Sequence, residues 1–531
     1  MRNSMKVVAT LFFCCLLFQT VKAKCIYQQD FALADTAEVT GLHISECSLD
    51  SLILAEQLQS NTADQVRRFY KTRDYQYAWI TEEGLAEHTQ IFWNLYNQYQ
   101  YYSGDSIVND FRMQEQMEIL QGEEPDTHLK DSLEELEFRF TSFFLTFFKR
   151  AYKGAVDPEK LQWHIPRKKL DVVDLLEELS YTDTTQLQNW LPVSTHYIAL
   201  KKKVLQFKEL QEIDWPAFSL GSRKVLKPGD TARIIKDFKQ RLAILGDLET
   251  LDTTSAYDEK FTSAVIAFQK RHGLNDDGII GPAFMSAFNT PLEQKIEQML
   301  INMERMRWMP EPKAGKRVVV NIPEFRLHVY QGAEDVLSMD VVVGKAANKT
   351  VVFSDRIKHV VFSPYWNLPQ SIVRNEVLPG LKRDSTYLSR RQMEITGERN
   401  GLPVIRQKPG PHNALGRVKF IFPNKYLIYL HDTPVKQLFQ RTTRAFSHGC
   451  IRLENPSALA ANILMDRPEW TSQKIKAAMS ADTELWVNVN DPIPVFIIYF
   501  TSWVDTSGKL NFRKDIYGHD ERLASHLINP N

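Results

Sequence analysis

Between about residue 48 and residue 225 apolar side chains recur every three or four positions. From Leu129 to Tyr152 the stripe is Leu133, Leu136, Phe140, Phe144 and Phe147, and Leu175, Leu176, Leu179 and Leu187 continue the habit. That spacing follows the helical turn and predicts core-facing amphipathic helices. The acidic run Gly122-Glu123-Glu124-Pro125-Asp126 reads as a solvated loop between them. Lys227-Pro228-Gly229 breaks the pattern, and the next stretch predicts a small unit of three short helices. Asp230 is the expected N-cap of the first, with Ile235, Phe238, Leu242 and Leu245 on one face and Gly246 as its stop. Phe261, Val265, Phe268 and His272 mark the second, which Gly273 ends, and the turn Asp276-Asp277-Gly278 leads to a third with Pro282 in its first turn. A helix from about Leu292 to Met306 then runs toward Lys316, where the period drops to two. Strands are predicted at Arg317 to Ile322, Arg326 to Tyr330 and Leu337 to Val343, with Leu337, Met339, Val341 and Val343 on one face and Ser338 and Asp340 on the other. Further strands are expected at His359 to Ser363, Tyr426 to His431 and Leu485 to Asn488, and helices at Ser457 to Met465 and Ser472 to Met479. The pattern is that of a multidomain α+β protein: an α-helical scaffold (24–226), a three-helix unit (227–290), a linking helix (291–315), a β-rich domain (316–505) and a C-terminal tail (506–531).

Composition narrows what such an assembly does. At roughly 150 residues per domain the 531 residues make three or four domains. Lys and Arg (65) balance Asp and Glu (65), so neither a nucleic-acid coat nor wholesale disorder fits. At the N-terminus, Arg2 and Lys6 precede an apolar run from Val7 to Phe18, and Val21-Lys22-Ala23 supplies small residues where signal peptidase cuts. Residues 1–23 read as a cleaved secretory signal, because a twelve-residue run rises only about 18 Å in a helix, short of a membrane core. The mature chain is expected to be exported, to the periplasm or cell envelope, without a membrane span. Of the five cysteines, Cys14 and Cys15 leave with the signal, and Cys25 and Cys47 are the natural disulfide couple in an oxidising compartment. Cys450 stands alone, as either an inert buried thiol or a reactive one.

The neighbours of Cys450 decide between those readings. It lies in Phe446-Ser447-His448-Gly449-Cys450-Ile451-Arg452-Leu453, nineteen residues after the histidine of Tyr426-Leu427-Ile428-Tyr429-Leu430-His431-Asp432-Thr433. Together these resemble the catalytic signature of the L,D-transpeptidases. Val320-Asn321-Ile322-Pro323, Pro364-Tyr365-Trp366-Asn367-Leu368-Pro369 and Gly416-Arg417-Val418-Lys419-Phe420 look like the YcbB-type branch of that family. The segment Thr231 to Asn289 is similar to the peptidoglycan-binding domain found beside cell-wall enzymes, in Phe261-x-x-x-Val265-x-x-Phe268-Gln269-x-x-x-Gly273-Leu274 and Asp277-Gly278-Ile279-Ile280-Gly281. The stretch from about 366 to 413, with its Lys382-Arg383 and Arg390-Arg391 pairs, resembles the lid of that branch.

The chemistry at stake is activation of a thiol, which at its ordinary pKa is only a few per cent thiolate at neutral pH. An imidazole that takes the proton makes it a nucleophile. Cys450 is the candidate nucleophile and His431 the base and acid, brought together if their strands pair. Asp432 is poorly placed to orient the ring, since strand neighbours face opposite ways. The resemblance implies a backbone carbonyl instead, with Gly449 a candidate for that task. The amides of Gly449 and Cys450 are candidates for the oxyanion hole. Tyr429, Ser447, His448, Arg452 and Trp366 are candidate substrate-binding residues; His448 equally reads as a loop support, and Arg452 as a loop-locking guanidinium. His431, Asp432, His448 and Cys450 also form a zinc-ligand list, but the strand turns Asp432 away from His431, and no metal or organic cofactor is expected.

The resemblance implies an exported enzyme of cell-wall biogenesis. Cys450 would attack a tetrapeptide donor stem and pass the acyl group to an amine of an acceptor stem, giving a 3→3 cross-link. It further implies peptidoglycan as partner, other cell-wall enzymes as candidate partners, and acylation of Cys450 by carbapenems. An L,D-carboxypeptidase that trims tetrapeptide stems and a noncatalytic wall-binding scaffold remain as alternatives.

Overall fold

The computed structural model describes residues 40–106, 110–120, 133–167, 169–179, 193–250, 252–310 and 314–527. The leader at 1–23, Cys25, the acidic run at 122–126 and Leu187 lie outside these residues.

The Phe140 stripe becomes the helix Leu133–Lys153. Phe140, Phe144 and Phe147 are fully buried against the rings of Trp79, Phe92 and Tyr96. At about 1.5–3 kcal/mol for each large apolar side chain buried, this stripe anchors the helical layer. The three-helix unit follows as Ile234–Ile244, Glu259–Arg271 and Pro282–Phe288, around its own core of Phe238, Leu242, Phe261, Val265, Phe268 and Phe284. Its first helix starts later than the sequence predicts. Asp230 spends its carboxylate on the Lys227 amide in the preceding turn, so it caps that turn and not the helix.

The β-rich domain is a closed sheet. Its strands among the described residues are β1 (Trp163–His164), β2 (Lys316–Asn321), β3 (Arg326–Gln331), β4 (Glu334–Gly344), β5 (Val352–Phe362), β6 (Val418–Ile421), β7 (Leu430–His431), β8 (Ala445–Ser447), β9 (Ile451–Leu453) and β10 (Leu485–Ile498). The order is β6-β7-β9-β4-β3-β2-β10-β5-β1, and β6 also pairs with β5, which closes the ring. Closure removes the free edges that an open sheet would expose. The inward face follows the predicted alternation, with Val318, Val320, Leu327, Val329, Val341 and Val343 fully buried. β1 comes from the scaffold region and pairs in parallel with the start of β5, so the helical layer and the barrel share a sheet. β10 runs well past its predicted end because the register shifts between Asn488 and Ile493, after which the apolar run Val495 to Ile498 pairs with β2.

Two segments have more structure than the sequence predicts. Residues 366–413 form a three-stranded sheet (Trp366–Asn367, Leu402–Gln407, Met393–Arg399) with short helices and a core of Leu368, Val373, Val377 and Ile405. The expected tail is a correction: Ser502–Val504 and Leu510–Phe512 form a hairpin and His519–Leu527 a helix. Its apolar residues Leu510, Phe512, Tyr517 and Leu523 are buried, but they are spaced too irregularly to announce an element. Among the described residues no helix is long and apolar enough to cross a membrane.

Candidate functional site

β7 and β9 are parallel neighbours, with Leu430 opposite Ile451 and His431 opposite Arg452. Leu430, Ile451 and Leu453 point into the barrel core and are fully buried. Alternation therefore sets Tyr429, His431, Cys450 and Arg452 on the other face. On its far side β7 meets β6, where Lys419 is opposite His431, so the imidazole sits between two cationic side chains across the sheet.

The imidazole is almost fully buried, and its Nδ1 lies 2.5 Å from the backbone oxygen of Asp432. A carbonyl only accepts, so Nδ1 carries the hydrogen and Nε2 keeps its lone pair. Backbone carbonyls hold the ring, Asp432's first and Leu415's more weakly, and not Gly449's. The Gly449 carbonyl accepts instead from Thr350 Oγ1 at 2.8 Å. Asp432 is itself immobilised. Its carboxylate accepts from the Arg417 amide and from Lys436 Nζ, each at 2.8 Å, and its amide donates to the Val418 carbonyl. Burial, reinforced by the Arg452 charge, lowers the His431 pKa to about 4, so the ring is neutral at pH 7.

The Cys450 thiol has the opposite shift. Burial pushes it above the ordinary cysteine range, against smaller pulls from hydrogen bonds with Tyr429 and then from the Arg452 charge. Its Sγ approaches the Leu427 carbonyl at 3.7 Å, and Tyr429 lies against it and edge-on to His431, with ring centroids 5.6 Å apart. Both shifts favour the uncharged forms at rest, thiol and neutral imidazole.

The loop before Cys450 corrects two expectations. Ser447 is buried, and its hydroxyl donates to the Cys450 carbonyl at 2.6 Å while accepting from the Gly449 amide at 3.1 Å. It clamps the loop and has no hydroxyl proton left for a substrate. The Gly449 amide is spent in the same clamp, so of the two oxyanion candidates only the Cys450 amide is without an acceptor among the described residues. Gly449 earns its place through its φ of +118°, a conformation that side chains resist.

Arg452 is half-buried, its Nε has no hydrogen-bond partner, and no carboxylate among the described residues pairs with the guanidinium. That is an unusual position for a partly desolvated cation and leaves it able to take an anion. His448 is exposed and reaches the lid, with Nε2 3.8 Å from Glu376. Trp366 belongs to the lid sheet, packed against the lid's own core, and is not part of the face that carries His431 and Cys450. Cys47 is exposed, and its expected partner Cys25 lies outside the described residues. Thr350 and Tyr517, which hold the Gly449 carbonyl and its neighbours from behind, escape a sequence reading because they come from distant segments with no motif of their own.

Residues 315–491 match the L,D-transpeptidase catalytic domain family, residues 64–204 a scaffold domain and residues 232–288 a peptidoglycan binding domain. A curated protein of Haemophilus influenzae that bears the L,D-transpeptidase name is 32% identical over 257 residues, which is 45% of this chain and 52% of that protein. The chain thus spans about half the length of that curated relative. Among solved structures, an L,D-transpeptidase from Xylanimonas cellulosilytica is 17% identical, covering 54% of this chain and 100% of its own, with a TM-score of 0.18. One from Stackebrandtia nassauensis is also 17% identical, covering 51% and 94%, with a TM-score of 0.23.

Proposed function

We propose that this chain, which carries an L,D-transpeptidase catalytic domain and a peptidoglycan-binding domain, forms 3→3 cross-links between peptidoglycan stems by cysteine acyl transfer in the periplasm or cell envelope. The observation that carries the reading is the shared face of β7 and β9, which holds His431, its Nδ1 on a backbone carbonyl, and Cys450, two residues before the Arg452 that lies opposite His431. As the Cys450 sulfur attacks the carbonyl of the third residue of a tetrapeptide donor, His431 Nε2 takes its proton. The developing oxyanion is met by the Cys450 amide. Collapse expels the terminal D-alanine, to whose amine His431 returns the proton, and leaves a thioester. A side-chain amine of a second stem then attacks the thioester, gives its proton to His431, and releases the thiol.

The unpaired Arg452 is the residue to hold a substrate carboxylate, and half-buried Tyr429 walls the thiol. His448 and the lid close over the bound stem, and the three-helix unit holds glycan nearby. Every step uses groups of the chain itself, and carbapenems would acylate the same sulfur.

Incubating the full chain with a disaccharide-tetrapeptide tests this directly. Mass spectrometry is expected to find a cross-linked dimer, lost in Cys450→Ala and in His431→Gln. Tripeptide without dimer would make the chain a trimming carboxypeptidase, since hydrolysis and transfer differ only in the acceptor of the thioester.

A further inference from the structure

We propose that Thr350 and Tyr517 are positioning residues that aim the Cys450 backbone amide as the oxyanion donor, so that the segment after the barrel completes the active site from behind. The inference rests on the acyl-transfer reading and adds to it which distant residues make that transfer fast.

The argument begins with the Gly449–Cys450 peptide. A trans peptide is planar, and its carbonyl and N–H point in opposite directions, so fixing one fixes the other. The Gly449 carbonyl is fixed by Thr350 Oγ1 at 2.8 Å. The Cys450 N–H must then project away from Thr350, and among the described residues nothing accepts from it. Rotation about this peptide would cost the Thr350 bond, and the Gly449 amide, held by Ser447, resists it from the other side.

Thr350 is itself fully engaged. It is 1% exposed, and its hydroxyl has one proton, given to Gly449, while a lone pair accepts from the Gly344 amide at 2.9 Å. Its own amide donates to the Tyr517 hydroxyl at 3.2 Å, and that hydroxyl donates to the Gly344 carbonyl at 2.5 Å. Tyr517 is 4% exposed, its amide bonds the Tyr499 hydroxyl, and its carbonyl accepts from Lys349 Nζ. Gly344 lets these chains meet so closely: a Cβ there would collide with the backbone of Asn348 and Thr350. Tyr517 lies beyond residues 315–491, which match the catalytic domain family, so this support comes from outside the matched domain.

The test compares two reactions of the same sulfur in the full chain. Acylation by imipenem passes through a tetrahedral oxyanion, whereas alkylation by iodoacetamide displaces iodide directly and needs no oxyanion donor. With Thr350→Val the acylation rate is expected to fall roughly 10²-fold, the scale of a lost oxyanion donor, while alkylation stays near the wild-type rate. Thr350→Ser keeps the hydroxyl and is expected to restore acylation. Tyr517→Phe is expected to lower acylation about tenfold with alkylation again unchanged. Should Thr350→Val fail to fold, Tyr517→Phe carries the comparison alone. Equal acylation by variant and wild type, or a parallel fall in both reactions, would overturn the assignment of Thr350 and Tyr517. A wild-type chain that imipenem does not acylate at Cys450 would overturn the acyl-transfer reading itself, a distinct result.

Discussion

At the scale of single residues, burial more than mutual attraction sets the charge of the proposed pair, Cys450 and His431. The imidazole gives up its charge because it is enclosed beside Arg452, and the thiol keeps its proton because it too is enclosed. A preformed thiolate–imidazolium pair would make iodoacetamide alkylation of Cys450 level off across about pH 5 to 7, as a low-pKa thiol does. The neutral pair predicts a rate that keeps climbing through that range, with its inflection above the ordinary cysteine value. A stopped-flow pH profile on the full chain distinguishes them, and a plateau in the acid range would show that the site stores charge at rest. The sequence put Cys450 and His431 on one face of paired strands, where the structure has them, because motif and strand alternation both act locally. It misassigned Ser447 and the Gly449 amide for the converse reason: a hydroxyl next to a nucleophile looks the same in sequence whether it faces substrate or the loop's own backbone. Only the coordinates of the Cys450 carbonyl and the Gly449 amide decide that.

At the scale of elements, His431, the proposed base, is only as fixed as the turn that precedes β6. Gly416 has a φ of +65°, and a Cβ on it would run into the Asp432 side chain. Asp432 connects that turn to the ring, its carboxylate on the Arg417 amide and its carbonyl on His431 Nδ1. Gly416→Ala therefore adds about 1–2 kcal/mol for a left-handed alanine and a collision with the residue that aims the imidazole. The expected outcome is a lower Tm together with a loss of acylation by more than about tenfold, larger than the stability change alone produces, because a small misplacement of a reacting group is costly. A variant that loses Tm but acylates normally would separate the turn from the histidine. Strand periodicity gave β2, β3 and β4 closely, since each buries its Val318, Leu327 or Met339 face. It could not give the lid sheet, where Met393–Arg399 is largely exposed and shows no alternation, nor the short β1, whose two residues become a strand only by docking on β5.

At the scale of the whole molecule, the helix Leu292–Trp308 is the spine that joins every part. Sequence read it as a linking helix, yet its charged Lys295, Glu304 and Arg305 are buried. Arg305 meets Asp520 of the C-terminal helix at 2.6 Å, Arg307 meets Tyr197 of the scaffold at 3.0 Å, and Lys295 Nζ meets His272 Nε2 of the three-helix unit at 3.2 Å. Hydrophobic periodicity cannot register such positions, since it assigns every charge to the surface. Lys295 is the one with a measurable signature. Burial, then the neighbouring Arg271 charge, lowers its pKa to about 7, against an opposing contribution from Asp247, which Arg271 engages at 2.7 Å. In the unfolded chain it titrates near 10.4, so between about pH 7 and 10 the unfolded state holds a proton that the native state lacks. Stability from this group therefore rises with pH across that window and is lost as pH falls toward 7. The slope is up to about 1.4 kcal/mol per pH unit for one proton. Urea unfolding of the full chain at several pH values between about 7.5 and 9.5 should show that rise, and Lys295→Met should remove it while leaving the contributions of other lysines in place. Identical slopes in the two proteins would mean that the ammonium stays charged inside the joint, with Asp247 and not His272 as its effective partner.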